Sequence, residues 1–359
     1  MSSHCKHILV RRPTDLSVQW AQRIVNRYAD NATVFKVNVE SVDVGTSTRL
    51  RVEVEHDVPE IVPTRWFVKA PSLAFRSRLI TTLPRFLHKE VSFYRSLSAN
   101  VPLKLPQVLA AESCWGRGAT LVMADLSEHD FRAGRAADAL SFDQASRVIT
   151  HLAQLHSHYW NKPAVLKRYR WLNDFSHQME NHMGSLLAVP LMKRGLQRAD
   201  EHISKRLHKP ALRYSANRRL FMLSLASGSK TLVHYDCHPG NIFWDADEPG
   251  FLDWQLVRWG EGVGDVAYFL ATALAPEVRR QYEKSLLSQY VHDLVAAGAD
   301  ELDERQVFRR YQTHLVYPFE AMTVTLAIGG MMHHESNVEM IKRAAAAVDD
   351  HDSFAILEA

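Results

Sequence analysis

Apolar positions recur at two different periods along this chain, and the change of period divides it. Leu16, Trp20, Ile24 and Tyr28 stand four apart, a spacing that predicts an amphipathic helix. Three Val-rich, partly alternating stretches follow, Val34–Val44, Arg49–Glu55 and Trp66–Ala70, and these predict β-strands. Gly45, Thr46, Ser47 and Thr48 join the first two as a hairpin turn. Phe86, Glu90, Phe93 and Leu97 then predict a helix that carries a carboxylate inside its apolar stripe. Thr120–Met123 predicts one more strand, after which Ala124–Asp125–Leu126 breaks into polar residues through Arg135. Beyond this point the period is helical. Ala145, Val148, Ile149, Leu152, Leu155, His156 and Tyr159 share one broad face, where His156 reads as a buried, hydrogen-bonded structural residue. Ala275–Ala297, Asp303–Ala327 and Asn337–Val348 predict further helices, with Pro276 at a start and Gly298 at a stop. Trp171–Lys205 reads as amphipathic, Arg206–Arg219 as basic and irregular, and Pro71–Pro84 as an inserted basic loop.

Strands first and helices afterwards place the chain in the α+β class. Its 359 residues exceed one ordinary domain, so we expect two parts, residues 1–123 and 124–359, with the boundary where the Thr120–Met123 strand meets the polar linker. The longest apolar run, Leu315–Met332, contains Pro318, Glu320 and paired glycines, which argues for a buried helix and against a membrane span. The first residues, MSSHCKHILVRR, lack the apolar core of a signal peptide. Cys5, Cys114 and Cys237 are odd in number and widely separated, as reduced thiols are. These features predict a soluble cytoplasmic protein. A net charge of +3, from nearly balanced acids and bases, lacks the basic footprint of a nucleic-acid binder.

The window Thr231–Asp253, TLVHYDCHPGNIFWDADEPGFLD, concentrates the chemistry. Phosphoryl transfer needs an Asp that accepts or orients the attacking hydroxyl, an Asn five residues on that holds a metal, and a later Asp that bridges metal to phosphate. Asp236, Asn241 and Asp253 fit that spacing. Leu232–Val233 and Ile242–Trp244 are expected to close the loop as a hairpin, and a turn at Glu248–Gly250 to deliver Asp253. Oxygen donors such as Asn241 and Asp253 suit Mg²⁺, leaving Asp236 as base. Lys69, within the apolar WFVKAP strand, is costly to bury unless its charge is paired, and Glu90 is the candidate partner. The Gly45–Thr46–Ser47 tip would offer backbone amides and hydroxyls to phosphate oxygens. Other readings compete. The Asp236–Asn241 segment alone is compatible with a solvated turn. His234, Asp236 and His238 suggest a zinc site, although Pro239–Gly240 interrupts the strand and Asn241 and Asp253 go unused. Cys237 lacks an evident group to orient a base and reads as packing. The glycines at 260, 262 and 264 read as a flexible loop, and Asp265 as the N-cap of a helix starting at Val266 or as a holder of the loop through backbone hydrogen bonds.

The segments VHYDCHPGNIFW, FLDWQLVRWGEGVGDVAYFL and AQLHSHYW, with Lys69 and Glu90, resemble the aminoglycoside phosphotransferase and choline kinase superfamily. The DWQ followed by glycines and DVAYFL is most similar to its ecdysteroid kinase-like branch, over about Val34 to Ala275. The resemblance implies a two-lobed protein-kinase-like fold, with a small β-rich N-lobe and a larger helical C-lobe. It also implies transfer of the γ-phosphate of ATP to a hydroxyl of a small molecule, with magnesium as cofactor. Lys69 would meet the α- and β-phosphates and Glu90 would hold Lys69. Asp236 would be the base, Asn241 and Asp253 the metal ligands, and Met123, Ala124 and Asp125 the hinge that meets adenine. Tyr235 stands where the family usually has Gly, Ala124 where an acidic hinge residue is common, and Gly45 is the phosphate loop's one glycine. A non-catalytic pseudokinase would have lost one of these residues, and none is lost. A protein kinase would need a peptide-docking segment after Asp253, for which DVAYFL follows too soon. The acceptor would lie near Trp171–His182 and Tyr317–His334, where Glu320 and Glu335 suit a cationic acceptor and Met322, Met331, Met332 and Trp259 an apolar one. No acidic cluster stands beyond Asp349–Asp350, which argues against an aminoglycoside acceptor.

Overall fold

In the computed structural model the Val-rich alternation becomes an antiparallel five-stranded sheet. Its strands are β1 (Val34–Val44), β2 (Ser47–His56), β3 (Arg65–Pro71), β4 (Val108–Cys114) and β5 (Gly118–Ala124), in the spatial order β1-β2-β3-β5-β4. The structure describes residues 8–74, 85–169, 171–172 and 179–358. It divides into two units, residues 1–100 with 105–132, and residues 101–104 with 133–359. Cys5, the 75–84 part of the inserted loop and residues 173–178 of the candidate acceptor region lie outside the described residues.

In the first unit, alternation sends Leu50, Val52 and Val54 of β2 and Trp66, Val68 and Ala70 of β3 into one core with Trp20 and Ile24 of the Val18–Val25 helix. Ser17 caps that helix by accepting from the Trp20 amide at 3.2 Å, and the Trp20 and Trp66 rings meet with centroids 5.8 Å apart. The Phe86–Ser96 helix packs on β3, β4 and β5. Strand β4 was not expected from its sequence, because Ala110 and Ala111 interrupt the run of strand-favouring residues.

The second unit is largely helical. A capping box between Ser141 and Gln144 starts the Phe142–Tyr159 helix. Arg206–Arg219, expected to be irregular, instead contributes the His208–Ala216 helix and the start of Arg218–Ser224. Lys209, Arg213 and Arg219 form its solvated side while Ala211 and Tyr214 face inward, so the charge density had hidden an apolar stripe. The helical stretch expected over Asp303–Ala327 is built of two helices, Glu304–His314 and Val316–Ile328, joined at Leu315. The second of these occupies most of the apolar run and ends at Gly329, whose φ of 76° suits glycine. Among the described residues no helix is long and apolar enough to cross a membrane.

Two expectations about short strands are corrected. Thr231–Val233 pairs with Arg258–Gly260, not with Ile242–Trp244. Ile242–Asp245 finds its partner just beyond a tight turn, in Glu248–Phe251, so the segment expected as a turn is itself a strand. The turn is made at Ala246–Asp247, with Ala246 at φ 50°. Pro239–Asn241 forms a single 3-10 turn that redirects the chain between the two pairings.

The glycines after Asp253 are not a flexible loop. Gly260 lies in a strand, and Gly262 and Gly264 lie in the Gly262–Ala273 helix, every residue of which is buried. A β-carbon at Gly262 would stand 2.5 Å from the Tyr290 hydroxyl and 2.7 Å from His156 Nδ1, so close packing requires glycine there. The helix begins a turn before Val266, with Glu261 at its N-cap position, and this frees the Asp265 carboxylate for another task.

Candidate active site

The first unit carries the ion pair expected from the sequence. Alternation along β3 sends Trp66, Val68 and Ala70 into the core shared with the Val18–Val25 helix and therefore turns Lys69 to the opposite face. There its Nζ meets Glu90 Oε1 at 2.7 Å, with side-chain exposures of 6% and 2%. The Gly45 tip is held from within: Gly45 donates its amide to Ser47 O at 3.0 Å, and Ser72 Oγ donates to Gly45 O at 2.8 Å. Met123 and Ala124 end β5 opposite Phe67 and Trp66. The amides of Ala124 and Asp125 donate to Gln107 O and Arg65 O, each at 2.9 Å. The Asp125 carboxylate accepts from Ser127 N at 3.0 Å and from Arg51 Nε at 3.1 Å. Burial pushes its pKa up, but those bonds and the Arg51 charge outweigh burial and hold it below the usual carboxylate range.

The second unit builds the loop that holds Asp236, Asn241 and Asp253. Beyond the Thr231–Val233 strand the chain turns through Tyr235 at φ 69°, a left-handed conformation that glycine adopts without strain. Asp265 fixes this turn from below. Its Oδ2 accepts from His234 N and its Oδ1 from Tyr235 N, both at 2.7 Å, and His156 Nε2 lies 3.2 Å from Oδ2. Of the two roles expected for Asp265, the structure selects the loop-holding one. His156, fully buried, also contacts the Tyr290 hydroxyl through Nδ1 at 2.9 Å.

His234 accepts the Asp236 amide at Nδ1, 3.2 Å away, and directs Nε2 to Leu252 O at 2.8 Å. Both ring nitrogens are therefore committed to backbone, which removes His234 from the zinc reading. Cys237 is buried and its Sγ lies 3.5 Å from Asp265 O, in keeping with a packing role.

Asp236 receives two side-chain donors. Tyr268 Oη donates to Oδ1 at 2.8 Å, and Asn241 Nδ2 donates to Oδ2 at 3.1 Å as well as to the Asp236 carbonyl at 2.8 Å. Burial, then the Asp253 charge, raises its pKa to about 7 against the pull of those donors. His238 Nε2 stands 3.9 Å from Oδ1, and burial lowers the pKa of this imidazole to about 4. With Asn241 Nδ2 committed to Asp236, its Oδ1 is the atom left for a cation. Asp253, also in a left-handed conformation at φ 59°, adds a carboxylate beside it in the electrostatics of Asp236. Amide and carboxylate oxygens whose mutual repulsion a cation would relieve form a donor set that fits Mg²⁺.

Sequence reasoning missed Tyr268 and Arg258, and gave Tyr317 only as the edge of a candidate acceptor region. Tyr268 lies one turn after Asp265 on the same helix, and that three-residue spacing was the signal. The Tyr235 ring is tucked inward, 4.4 Å from the Tyr317 ring and 4.4 Å below the Arg258 guanidinium. Glu320, expected as a free charge for a cationic acceptor, is instead buried, accepting from Tyr214 Oη at 2.7 Å and paired with Arg218. Its charge is spent internally. Met322 and Trp259 are buried too, whereas Met331 and Met332 are half-buried and Glu335 is exposed.

The family model described as ecdysteroid kinase-like matches residues 102–300. Among solved structures, the GDP complex of wild-type aminoglycoside 2'-phosphotransferase-IIIa is 11% identical at a TM-score of 0.51, the match covering 94% of this chain and 99% of that one. A Plasmodium vivax ethanolamine kinase is 12% identical at a TM-score of 0.49, covering 96% and 90%. A choline kinase from Cryptosporidium parvum is 11% identical at 0.49, covering 92% of each chain. At 11% identity, the likeness to the phosphotransferase is one of fold. The fold is kinase-like, with a β-sheet N-terminal region and a helical C-terminal region. No curated protein matches the chain.

Proposed function

This chain belongs to the ecdysteroid kinase-like family, and from that premise we propose that it is an ATP-dependent O-phosphotransferase acting on a hydroxyl of a small molecule. The observation that carries the reading is Asp236, a nearly buried carboxylate aimed by donors on both oxygens and kept close to neutrality in its pKa. A base so poised takes a hydroxyl proton near physiological pH. Lys69, fixed by Glu90, supplies a positive charge suited to the α- and β-phosphates. Asn241 and Asp253 would hold Mg²⁺, which when bound neutralises charge on the phosphates. The Gly45–Ser47 tip and the Met123–Asp125 segment remain the proposed phosphate and adenine contacts. In the reaction the acceptor oxygen bonds to the γ-phosphorus, the bond from that phosphorus to the bridging oxygen breaks, ADP leaves, and the hydroxyl proton passes to Asp236. A non-catalytic nucleotide-binding protein is the other reading. The intact set of Lys69, Glu90, Asp236, Asn241 and Asp253 favours catalysis.

The test is ADP release from Mg-ATP across a panel of hydroxylated metabolites, with Asp236→Asn as control. Transfer should fall by about a hundredfold or more in that variant, with thermal stability retained. Transfer that survives Asp236→Asn unaltered would show the base assignment to be wrong.

A further inference from the structure

Arg343 carries its charge into the interior and spends it on backbone. Its side chain, on the His334–His351 helix, is 6% exposed. Among the described residues its hydrogen bonds all go to carbonyls: Nη1 donates to Thr272 O at 2.9 Å and to Asp138 O at 2.8 Å, and Nη2 donates to Ala137 O at 2.6 Å. Thr272 stands in the last turn of the Gly262–Ala273 helix, where carbonyls lack intrahelical partners and carry partial negative charge. Leu140 N donates to the next of these, Ala273 O, at 2.8 Å. Guanidinium and amide together fasten residues 137–140 to the end of the helix that holds Asp265. The other end of the same segment lies on the turn that carries Asn241. Gly134 N donates to Ile242 O at 2.9 Å. A β-carbon at Gly134 would stand 2.2 Å from Pro239 O, and one at Gly240 would stand 3.0 Å from Ala136 N, so the two backbones touch with no space for a side chain between them. Asn241 is thus held within the turn by its bonds to Asp236 and backed by residues 134–136.

We propose that Arg343 is a positioning residue for Asn241: by fixing residues 134–140 as a strap across the Pro239–Asn241 turn, it keeps the Asn241 oxygen where a divalent cation needs it. The inference rests on the phosphotransferase reading above, in which Asn241 is a metal ligand. Groups that orient a ligand from behind tune metal affinity without touching the metal. A lysine at 343 would keep the charge at the helix end but bring a single nitrogen, where the guanidinium brings a rigid fork that bridges helix and strap. Gly134→Ala disturbs the same strap at its far end and leaves Arg343 in place.

The experiment titrates Mn²⁺ into the full chain with a non-hydrolysable ATP analogue at saturation and reads the rise in melting temperature, which needs no turnover. Arg343→Lys and Gly134→Ala should each raise the Mn²⁺ concentration that gives half the rise by about threefold or more, short of the loss from a side chain bonded directly to the ligand. Val291→Ala, which removes buried apolar atoms from the Pro276–Ala296 helix, should lower the melting temperature and leave that midpoint in place. If Arg343→Lys does not fold, Gly134→Ala decides alone. A midpoint unmoved in either folded strap variant, or moved as far by Val291→Ala, overturns this inference and leaves the phosphotransferase reading standing. A wild-type chain that gives no response to Mn²⁺ beside the analogue overturns the metal assignment of that reading and this inference with it.

Discussion

Asp265 and Tyr235 are joined across the loop: Oδ1 of the first accepts the amide hydrogen of the second at 2.7 Å, while Oδ2 takes the preceding amide of His234 at the same distance. Two successive amides converging on one carboxylate make an anion nest, here filled by the protein's own side chain. Burial raises the pKa of this carboxylate, but the His156 hydrogen bond and charge, with the backbone donors, prevail and hold it below the usual range.

Asp265→Ala leaves both amides buried without that acceptor, at about 1–3 kcal/mol for each donor. The variant should unfold at lower urea concentration and lose hydrogen-exchange protection at His234 and Tyr235. Full protection at those two amides would contradict the arrangement.

Tyr235 holds a left-handed conformation, which costs an L-residue about 1–2 kcal/mol. Its ring offsets this through Tyr317 and Arg258. Tyr235→Ala loses the ring and keeps the backbone strain, whereas Tyr235→Gly loses the ring and the strain together. Both should be less stable than wild type, with the glycine variant the more stable of the two by about 1 kcal/mol, opposite to their order in a helix. Thermal melts of the pair decide it.

Glu90→Ala removes the 2.7 Å partner of a lysine that is 6% exposed. Breaking a buried pair from one side costs about 3–5 kcal/mol, whereas an apolar pair of similar size is often tolerated. Denaturant midpoints should therefore place Glu90→Ala below the double variant Lys69→Met with Glu90→Leu. If the double variant is the less stable, burial of the charge is not the governing cost.

Glu261 receives Arg310 Nε at 2.9 Å, Arg310 Nη2 at 2.5 Å, His314 Nε2 at 3.3 Å and the Gly228 amide at 2.6 Å. Burial raises its pKa, but His314 and Arg310 outweigh this and bring it from 4.5 to about 2. A folded pKa below the unfolded one gives stability that is complete above about pH 4.5 and lost as pH falls toward 2. The loss amounts to about 3 kcal/mol. Glu261→Gln should flatten that part of a stability-versus-pH curve measured with urea, and an unchanged slope would reject the assignment.

The pairing of Lys69 with Glu90 is legible in the sequence because each residue interrupts an otherwise apolar pattern of known period. The separation of Asp236 and Asn241 is legible because both lie in one short local segment, which a 3-10 turn over Pro239–Asn241 closes. The pairing of Thr231–Val233 with Arg258–Gly260 is not, since three-residue strands carry no measurable alternation and the partner is distant in the chain. Tyr268 escapes notice for a different reason. In a helix buried all round, every position reads as core, and a hydroxyl aimed at a carboxylate looks like one more aromatic. Glu320 misleads in the same way, because sequence shows a charge but not the Arg218 that cancels it.

The Gly262–Ala273 helix has no outward side, yet it supplies both the anchor of the loop and the hydroxyl on Asp236. Such a segment has almost no neutral substitutions available to drift. In a saturation mutagenesis library selected first for expression alone, these twelve positions should already be depleted of variants, before any demand for activity is imposed.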